Sequence, residues 1–230
     1  MKSNSSRPGF CLWDSCSGET LRELKQIGKT AAFPGKHMII CPGSETENIF
    51  FVIEGIIQVY HLSHNGRKRI HFLLPGGHII NDNVSGGRSS VYAETLTEST
   101  LFVVKSEPFL RLVGSDGTLA RAVLSDQEWK LKSLERMARN SVGAVTTEKK
   151  LAVRLWRLAR DFGVATAEGI LIDLDLSMTL LSELVGVPRE NVSRAAGKLQ
   201  GRGVIDGDKI RFRIPDPERL LDFFHGREPA

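Results

Sequence analysis

The clearest hydrophobic pattern lies in the C-terminal third of the chain, where two short apolar runs recur at helical spacing. The first run places four aliphatic side chains on one face, and Gly186 then ends it: Leu180, Leu181, Leu184 and Val185. Pro188 suits the first position of a second helix, because its missing N–H would have no partner there. The second run has its own apolar face: Val192, Ala195, Ala196 and Leu199. Two short helices joined by a glycine turn predict a helix-turn-helix, whose second helix enters the major groove of DNA.

The other side of the second predicted helix carries polar residues suited to reading base pairs: Arg189, Glu190, Ser193, Arg194 and Lys198. Arginine can donate two hydrogen bonds to guanine, and glutamate can accept one from the amino group of cytosine. Arginines on a helix are often simply solvated. An exposed acid between arginines at a helix start is not explained by attraction to phosphates, so we predict a DNA-recognition helix.

Between about residues 36 and 104 the pattern changes to short apolar runs separated by glycine-containing turns. The longest run, from Ile49 to Leu62, is broken by Glu54-Gly55, and Asn65-Gly66 is a strong hairpin signal. Other candidate strands cover residues 38–40, 69–74, 91–96 and 100–104. Short strands with frequent turns predict a β-sandwich or jelly-roll.

A long helix is predicted next, because no proline occurs from Thr118 to about Val142. One face of it carries apolar residues at the spacing of a coiled-coil seam: Leu124, Leu131, Leu134 and Ala138. The seam could pack within one subunit. We favour a dimer helix, because paired recognition helices match two DNA half-sites about one helical turn apart.

The C-terminal part completes a winged helix-turn-helix in this prediction. A helix is expected from Thr147 to Phe162, a strand from Ile170 to Leu176, a wing hairpin over residues 203–214 and a last helix from Pro217 to Phe224. The fold class is therefore α+β. It comprises a jelly-roll domain over residues 1–117, a long dimerisation helix over residues 118–144 and a DNA-binding domain over residues 145–230.

Composition changes this outline little. The chain has 230 residues, a formal net charge of +4 and a pI near 9.0, which is weak support for nucleic-acid binding. Because no apolar run reaches membrane-spanning length and the polar N-terminus does not resemble a signal peptide, we expect a cytoplasmic protein without membrane contact.

The three cysteines, Cys11, Cys16 and Cys41, are too few for a disulfide scaffold or for a cluster held by four thiolates. Cys11 and Cys16 form a Cys-x4-Cys pair that could be redox-active. Two ordinary thiols are the simpler interpretation.

The run from Arg189 to Arg194 resembles the recognition helix of the CRP/FNR family of bacterial transcription regulators, whose pattern is R/V-E-x-x-S/G-R. The likeness implies that Arg189, Glu190 and Arg194 read bases, with help from Ser193, in a palindromic operator of TGTGA or TTGA type. The order of strands and turns upstream resembles the double-stranded β-roll (jelly-roll) sensor of the family. Membership implies a homodimer that contacts double-stranded DNA, RNA polymerase and a small-molecule effector, as an activator or a repressor.

Members that bind cyclic AMP carry a Gly-Glu-Leu segment and a downstream Arg-Ser pair, which hold the ribose and the phosphate. Here the first segment is Ile80-Asn81-Asp82-Asn83, and Ser89 matches the arginine, with Arg88 one residue early. A phosphate pocket needs a correctly placed guanidinium. The likeness therefore implies that this chain does not bind a cyclic nucleotide.

The sensor region is similar to that of the halide-respiration regulators of the family, typified by CprK, in segments such as Phe10-Cys11, Pro42-Gly43 and Pro75-Gly76-Gly77. These regulators bind a halogenated phenol as its anion between the β-roll and the long helix. The likeness implies an effector site formed by Trp129, Lys132, Tyr92, Asp82 and Asn83.

A lysine in a pocket of low dielectric selects a phenolate, and Trp129 could stack on its ring. Asp82 stands where the subgroup has a second lysine facing the phenolate. The implied effector is therefore a small aromatic anion rather than one fixed ligand. A solvated Lys132 is an equally open interpretation.

Two other functions fit parts of the pattern. A jelly-roll can be a metal-dependent enzyme of cupin type, but the strand region has no close His-x-His pair, so we predict no enzyme and no metal site. A haem-based or redox-based sensor of the same family is the stronger alternative. Its candidate haem ligands are His71 and His78, and its redox pair would be Cys11 with Cys16 or Cys41. The main interpretation requires no cofactor.

Overall fold

The computed structural model describes residues 13–139, 146–208 and 210–225, which divide into two compact units. The division falls between Glu135 and Arg136, inside the long helix. Residues 140–144, which end the predicted dimerisation helix, lie outside the described residues.

The first unit begins with a 3-10 turn at Trp13–Ser15 and helix α1 at Gly18–Ile27. Its strands are β1 Gly28–Phe33, β2 Met38–Ile40, β3 Asn48–Glu54, β4 Ile57–Leu62, β5 Lys68–Leu74, β6 Tyr92–Thr95 and β7 Ser99–Lys105. Helix α2 at Ser106–Ser115 and the long helix α3 at Gly117–Arg139 follow.

These strands form two antiparallel sheets, one in the order β1-β7-β3 and one in the order β2-β6-β4-β5. Val52 and Leu101 from the first sheet share one buried cluster with Ile57 and Val59 from the second. Two sheets with a common core between them confirm the predicted β-roll.

The turn at Glu54-Gly55 separates the two sheets where the apolar run is broken. Gly55 has φ 91°, and a Cβ there would lie 2.2 Å from Ser99 Oγ and 2.6 Å from the Glu98 carbonyl oxygen. Only glycine fits both the backbone conformation and the space. This turn lets one continuous run of apolar residues supply β3 to one sheet and β4 to the other.

Helices α1, α2 and α3 cover the outer face of the three-stranded sheet. Leu24, Phe109 and Leu119 join Phe51 and Phe102 from that sheet in a second buried cluster. The Phe51 and Phe109 rings meet edge to face, with centroids 5.4 Å apart.

Helix α1 and strand β1 were not predicted. The apolar pattern of α1 is weak because the helix buries only Thr20 and Leu24, although Ser17 caps it by accepting a hydrogen bond from the Thr20 N–H at 3.1 Å. Strand β1 has few strong strand formers. It is held by pairing with β7 along its whole length, from Gly28 opposite Val104 to Phe33 opposite Ser99.

The second unit contains α4 Thr147–Phe162, β8 Gly163–Thr166, β9 Gly169–Ile172, α5 Met178–Val185, α6 Arg189–Gly201, β10 Asp206–Gly207, β11 Phe212–Ile214 and α7 Pro217–His225. Its strands form one antiparallel sheet in the order β10-β11-β9-β8. Helix α4 has the predicted bounds. The strand predicted at 170–176 is shorter, and its hairpin partner β8 was missed. The α5–α6 pair followed by the β10–β11 hairpin confirms the winged helix-turn-helix.

Helix α3 has two contrasting faces. Its buried face holds Leu119, Ala122, Val123, Asp126 and Lys130. The predicted seam lies elsewhere on the helix, with Leu124 67%, Leu131 58% and Leu134 39% exposed. The described part of one subunit therefore leaves these leucines largely uncovered. None of the described helices is both long and apolar enough to cross a membrane.

Candidate DNA interface and sensor site

The turn between α5 and α6 depends on Gly186, which adopts the left-handed conformation with φ 75° and ψ 37°. Its N–H donates to the Ser182 carbonyl at 2.7 Å, and the Val187 N–H shares the same acceptor at 3.3 Å. Pro188 has an extended backbone, so it occupies the N-cap and α6 begins one residue later, at Arg189. This arrangement closes the first helix sharply and starts the second at the predicted recognition residues.

Helix α6 separates its two faces as the sequence predicts. Val192, Ala195, Ala196 and Leu199 are buried. The five predicted DNA-reading residues are all exposed: Arg189, Glu190, Ser193, Arg194 and Lys198. Glu190 lies in the first turn, where the helix dipole favours a negative charge.

Two of these cations already have partners in the protein. Arg194 donates to the amide oxygen of Asn191, three residues earlier on α6. The Lys198 ammonium lies 2.7 Å from the Glu148 carboxylate at the start of α4. The hydrogen bond from Lys198 lowers the pKa of Glu148. Arg194 is therefore held by a neighbour on its own helix, whereas the charge of Lys198 is partly neutralised.

The wing is internally neutralised by ion pairs. Arg211 lies 3.2 Å from Asp173 and 2.7 Å from Asp175, while Arg213 pairs with Glu168 and Asp206. Because each wing arginine faces two carboxylates, α6 presents the clearer set of groups for reading bases.

In the sensor unit, three charged or ionisable side chains meet where α3 packs on the β-roll. His78 Nδ1 lies 2.8 Å from Asp126 Oδ1, and Asp126 Oδ2 lies 3.0 Å from Lys130 Nζ. Lys130 also donates to the Asn81 carbonyl at 3.1 Å. We call His78, Asp126 and Lys130 the buried triad, because they are only 3%, 0% and 7% exposed.

Within the triad, Asp126 and Lys130 offset each other's loss of solvation. Burial alone would raise the pKa of Asp126, but the charge of Lys130 and the hydrogen bond with His78 outweigh it and lower that pKa. Burial lowers the pKa of Lys130, and the Asp126 carboxylate opposes this shift. The pair therefore compensates a desolvation that neither charge would tolerate alone.

The triad also reaches into the sheets. Asn81, whose carbonyl binds Lys130, accepts from the Phe50 N–H at 2.8 Å and donates to the Asn48 carbonyl at 2.9 Å. Asn81 therefore links Lys130 on α3 to strand β3 by hydrogen bonds.

The predicted effector residues on α3 are not brought together. Trp129 is partly buried against the β-roll core, 4.4 Å from the His78 ring and 5.9 Å from the Phe72 ring. Lys132 is exposed and pairs with Glu128 at 2.5 Å. The cation that faces the β-roll is Lys130, whereas Lys132 is exposed, so its role in an effector site stays a prediction. Two residues along a helix correspond to a rotation of about 200°.

The Asp82 carboxylate is hydrogen-bonded within its own loop, to Ser89 and Ser90. It accepts from the Ser89 hydroxyl at 2.8 Å, the Ser90 N–H at 2.9 Å and the Ser90 hydroxyl at 2.8 Å. Burial would raise the pKa of Asp82, but these hydrogen bonds lower it. Arg88 points away, 72% exposed, towards Glu45 at 3.7 Å. Asn83 binds Ser85 in the same loop.

Tyr92 belongs to a different cluster on the four-stranded sheet. Its ring stacks on Tyr60 at 5.1 Å and 9°. Lys68 lies 4.1 Å above the Tyr60 ring, and the Tyr60 hydroxyl donates to Glu94 at 3.2 Å. Burial and Glu94 raise the pKa of Tyr60 to about 12.

The alternative cofactor and redox residues occupy separate places. His78 is committed to the triad, and His71 lies edge-on to His61 at 4.8 Å. Cys16 packs beside the core under α1, whereas Cys41 is exposed. Cys11 lies outside the described residues. The part of the chain that the structure describes holds no cluster of three His, Cys, Asp or Glu suited to a metal ion.

Sequence reasoning missed Asp126 and Lys130. Their spacing from Leu119, Ala122 and Val123 does continue one helical face. A search for apolar periodicity passes over them because they are charged, and charged residues are almost never buried unless paired.

Known proteins resemble the chain in both units. Residues 31–116 match the family model of the cyclic nucleotide-binding domain, and residues 149–223 match that of the Crp-like helix-turn-helix domain. The nitrogen fixation regulation protein FixK of Azorhizobium caulinodans is 28% identical over 211 residues, covering 89% of this chain and 79% of that protein.

Two solved structures share the fold. A CooA mutant from Carboxydothermus hydrogenoformans has a TM-score of 0.76 at 17% identity, covering 97% of this chain and 98% of that one. CprK complexed with OCPA has a TM-score of 0.66 at 18% identity, covering 87% and 92%. At these identities the likeness shows the fold alone and does not distinguish the halide-respiration subgroup.

The two family models follow one another in the order sensor then helix-turn-helix and together cover most of the chain. The FixK relative spans both units. The chain belongs to the CRP/FNR family of transcription regulators.

Proposed function

We propose that the protein is a dimeric, effector-responsive regulator that binds a palindromic operator of TGTGA or TTGA type. The observation that carries this proposal is the exposed polar edge of α6, where Arg189, Glu190 and Arg194 stand over a buried apolar face. Arginine and glutamate at the start of such a helix can bind guanine and cytosine edges in the major groove.

Replacement of Glu190 by Ala tests the base-reading role. We expect discrimination between the operator and a half-site mutant to fall by about 1–3 kcal/mol, while salt-dependent binding to unrelated DNA persists. Glu107→Ala, an exposed acid on α2, is the control and should leave both unchanged. Equal loss on every DNA sequence would contradict base reading by Glu190.

The proposed dimer uses the exposed leucine seam of α3. Leu124 and Leu131 are more than half exposed, and pairing two such seams would bury them. Leu131→Glu should convert the protein to a monomer in sedimentation and weaken operator binding at least about tenfold, because two half-sites are then no longer bound together. Leu62→Glu, an exposed leucine on β4, is the matched control. A dimer that survives Leu131→Glu would place the interface elsewhere.

The proposed effector is a small aromatic anion such as a halogenated phenol, bound where the β-roll faces α3. The aromatic side chains of Trp129 and Phe72 support an aromatic ligand there. The hydroxyl groups of Ser89 and Ser90 already donate hydrogen bonds to Asp82. They are therefore not free to bind the phosphate of a cyclic nucleotide. Lys132 would exchange Glu128 for the ligand anion.

A titration of operator affinity with a chlorinated phenol tests this assignment, with haem and cyclic AMP as comparison ligands. Wild type should respond to the phenol, and Lys132→Ala should respond at least about tenfold more weakly. Glu107→Ala, an exposed acid on α2, should respond like wild type. No response at saturating phenol would refute the effector class. A visible haem absorption band would favour the haem sensor.

The proposed mechanism is a population shift between two dimer arrangements. Effector bound beside Trp129 would change the contact of α3 with the β-roll, and the buried triad would transmit that change to Asn81 and β3. The two recognition helices would then adopt the spacing of the operator half-sites.

A further inference from the structure

A cavity of about 390 Å³ lies within the DNA-binding unit, between the end of α3, α4 and α7. Its volume is within the range of small-molecule sites, roughly 300–1,000 Å³. The cavity belongs to neither the exposed edge of α6 nor the β-roll, and the functions proposed above do not use it.

One part of its wall is apolar and aromatic. Trp156 on α4 and Phe224 on α7 are partly buried, and Leu220 is only 1% exposed. The Arg160 guanidinium lies over the Trp156 ring, 5.8 Å from its centroid. Aromatic walls of this kind stack against flat ligands.

The other part of the wall is formed by arginines. Arg136 and Arg139 come from the last turn of α3, and Arg157 and Arg160 from α4. None of the described residues that line the cavity is acidic. Arg160 pairs with Asp161 at 2.9 Å, beside the cavity.

The four guanidinium groups repel one another. Burial lowers the pKa of Arg157, and the charges of Arg136, Arg160 and Arg139 lower it further, against the opposing effect of Asp161. Like charges gathered around a partly buried cavity favour an anion that binds between them.

The geometry points to a binding site for an aromatic phosphate in this cavity, with the ring against Trp156 and the phosphate among the arginines. Guanidinium groups bind phosphate in bidentate fashion, and a phosphate dianion can satisfy several of them at once. A phenolate carries one charge and one oxygen, so it suits this cavity less well. A DNA duplex is too wide to enter a cavity of about 390 Å³.

Phenyl phosphate is the probe for this site, and fluorescence is the readout. The three tryptophans are Trp13, Trp129 and Trp156, and only Trp156 lines the cavity. Phenyl phosphate should change the fluorescence of wild type saturably. The change should vanish in Trp156→Phe and persist in Trp129→Phe. Loss of the signal in Trp129→Phe alone would place the ligand at the β-roll and overturn the proposal.

Matched ligands separate the ring from the charge. Inorganic phosphate and phenol should each compete at least about tenfold more weakly than phenyl phosphate, because each lacks half of the recognition. If inorganic phosphate competes as well as phenyl phosphate, the arginines bind anions without any contribution from the aromatic wall, and the proposed aromatic ligand is wrong. Binding of an acidic peptide, with no binding of phenyl phosphate, would also overturn the proposal.

Matched variants separate binding from folding. Arg157→Gln should weaken phenyl phosphate at least about tenfold, while the thermal midpoint of the ligand-free protein stays the same or rises, because a repulsive charge is removed. Arg139→Gln, at an exposed rim position, should weaken binding about threefold without touching the core. Arg111→Gln on α2 is the control. Unchanged affinity in both cavity variants would refute the site.

The proposal can fail independently of the proposed DNA function. Glu190→Ala should lose operator discrimination and keep phenyl phosphate affinity. Arg157→Gln should lose phenyl phosphate affinity and keep operator discrimination when no ligand is present.

Discussion

Helices α3 and α6 both carry charged residues, but one helix buries them and the other exposes them. On α3, Asp126 and Lys130 are 0% and 7% exposed and pair with each other and with His78. On α6, Arg189 and Glu190 face solvent over a buried apolar face.

The difference separates two kinds of function. An exposed charge on α6 can meet a partner that arrives later, and its removal leaves the fold intact. A buried charge on α3 is part of the packing between helix and sheet, and its removal leaves another charge uncompensated. Four substitutions test this contrast, in order of decreasing expected effect.

Removal of Asp126 should have the largest effect. Asp126→Ala leaves Lys130 buried without its carboxylate, and we expect the free energy of unfolding to fall by about 3–5 kcal/mol in denaturant titration. Glu128→Ala, an exposed acid one half-turn away on α3, should change it by less than about 0.5 kcal/mol. The double variant Asp126→Leu with Lys130→Met should recover most of the loss. An equal loss of unfolding free energy in Asp126→Ala and Glu128→Ala would mean that burial of the carboxylate does not determine its contribution to stability.

Removal of Arg194 should affect DNA binding and leave stability unchanged. Arg194→Ala should weaken operator binding by about 1–3 kcal/mol, measured by titration at fixed salt, because a bidentate contact to guanine is lost. The unfolding transition should match that of wild type, since Arg194 is exposed and its guanidinium bonds to Asn191 on its own helix. If Arg194→Ala lowers the melting temperature and leaves operator affinity unchanged, Arg194 contributes to the fold and not to DNA binding.

The dependence of the free energy of unfolding on pH should include a contribution from Asp82. Its folded pKa lies below the ordinary value of 3.8, so its contribution is complete above about pH 4 and is lost as the pH falls through the folded value. Asp82→Asn should cost about 1–2 kcal/mol at neutral pH and flatten the acid limb of the stability curve. Glu45→Gln, an exposed acid, is the control. An unaltered acid limb in Asp82→Asn would contradict this role.

Lys198 should show the smallest effect. Lys198→Ala should lower the slope of log affinity against log salt by about 1 and weaken all DNA sequences alike, as expected for a phosphate contact. Because Glu148 partly neutralises Lys198 at 2.7 Å, Glu148→Gln should slightly tighten non-specific binding. Loss of sequence discrimination in Lys198→Ala would make Lys198 a base reader instead.

Much of the fold could be predicted from periodicity. Helix α4 and the two faces of α6 follow directly from helical spacing, and the β3–β4 break follows from Glu54-Gly55. Strands β1 and β8 could not be predicted in this way, because their weak apolar patterns are compensated by hydrogen bonds to partner strands.

The exposed polar residues of α6 could be predicted because they lie within ten consecutive residues and need only one helix to align them. The sensor residues could not. His78 and Asp126 are 48 positions apart, and only the packing of α3 on the β-roll brings them together. Likewise, Lys130 rather than Lys132 faces the β-roll because of the rotation of α3 about its own axis.

The sequence by itself determined the order of strands and helices, the helix-turn-helix and the polar edge of α6, since each depends on local spacing and turn chemistry. Only the tertiary structure decided which charges are buried, which leucines stay exposed and where four arginines surround one cavity. These features depend on contacts between distant segments, and the free energy of burying a charge depends on the partner that folding supplies.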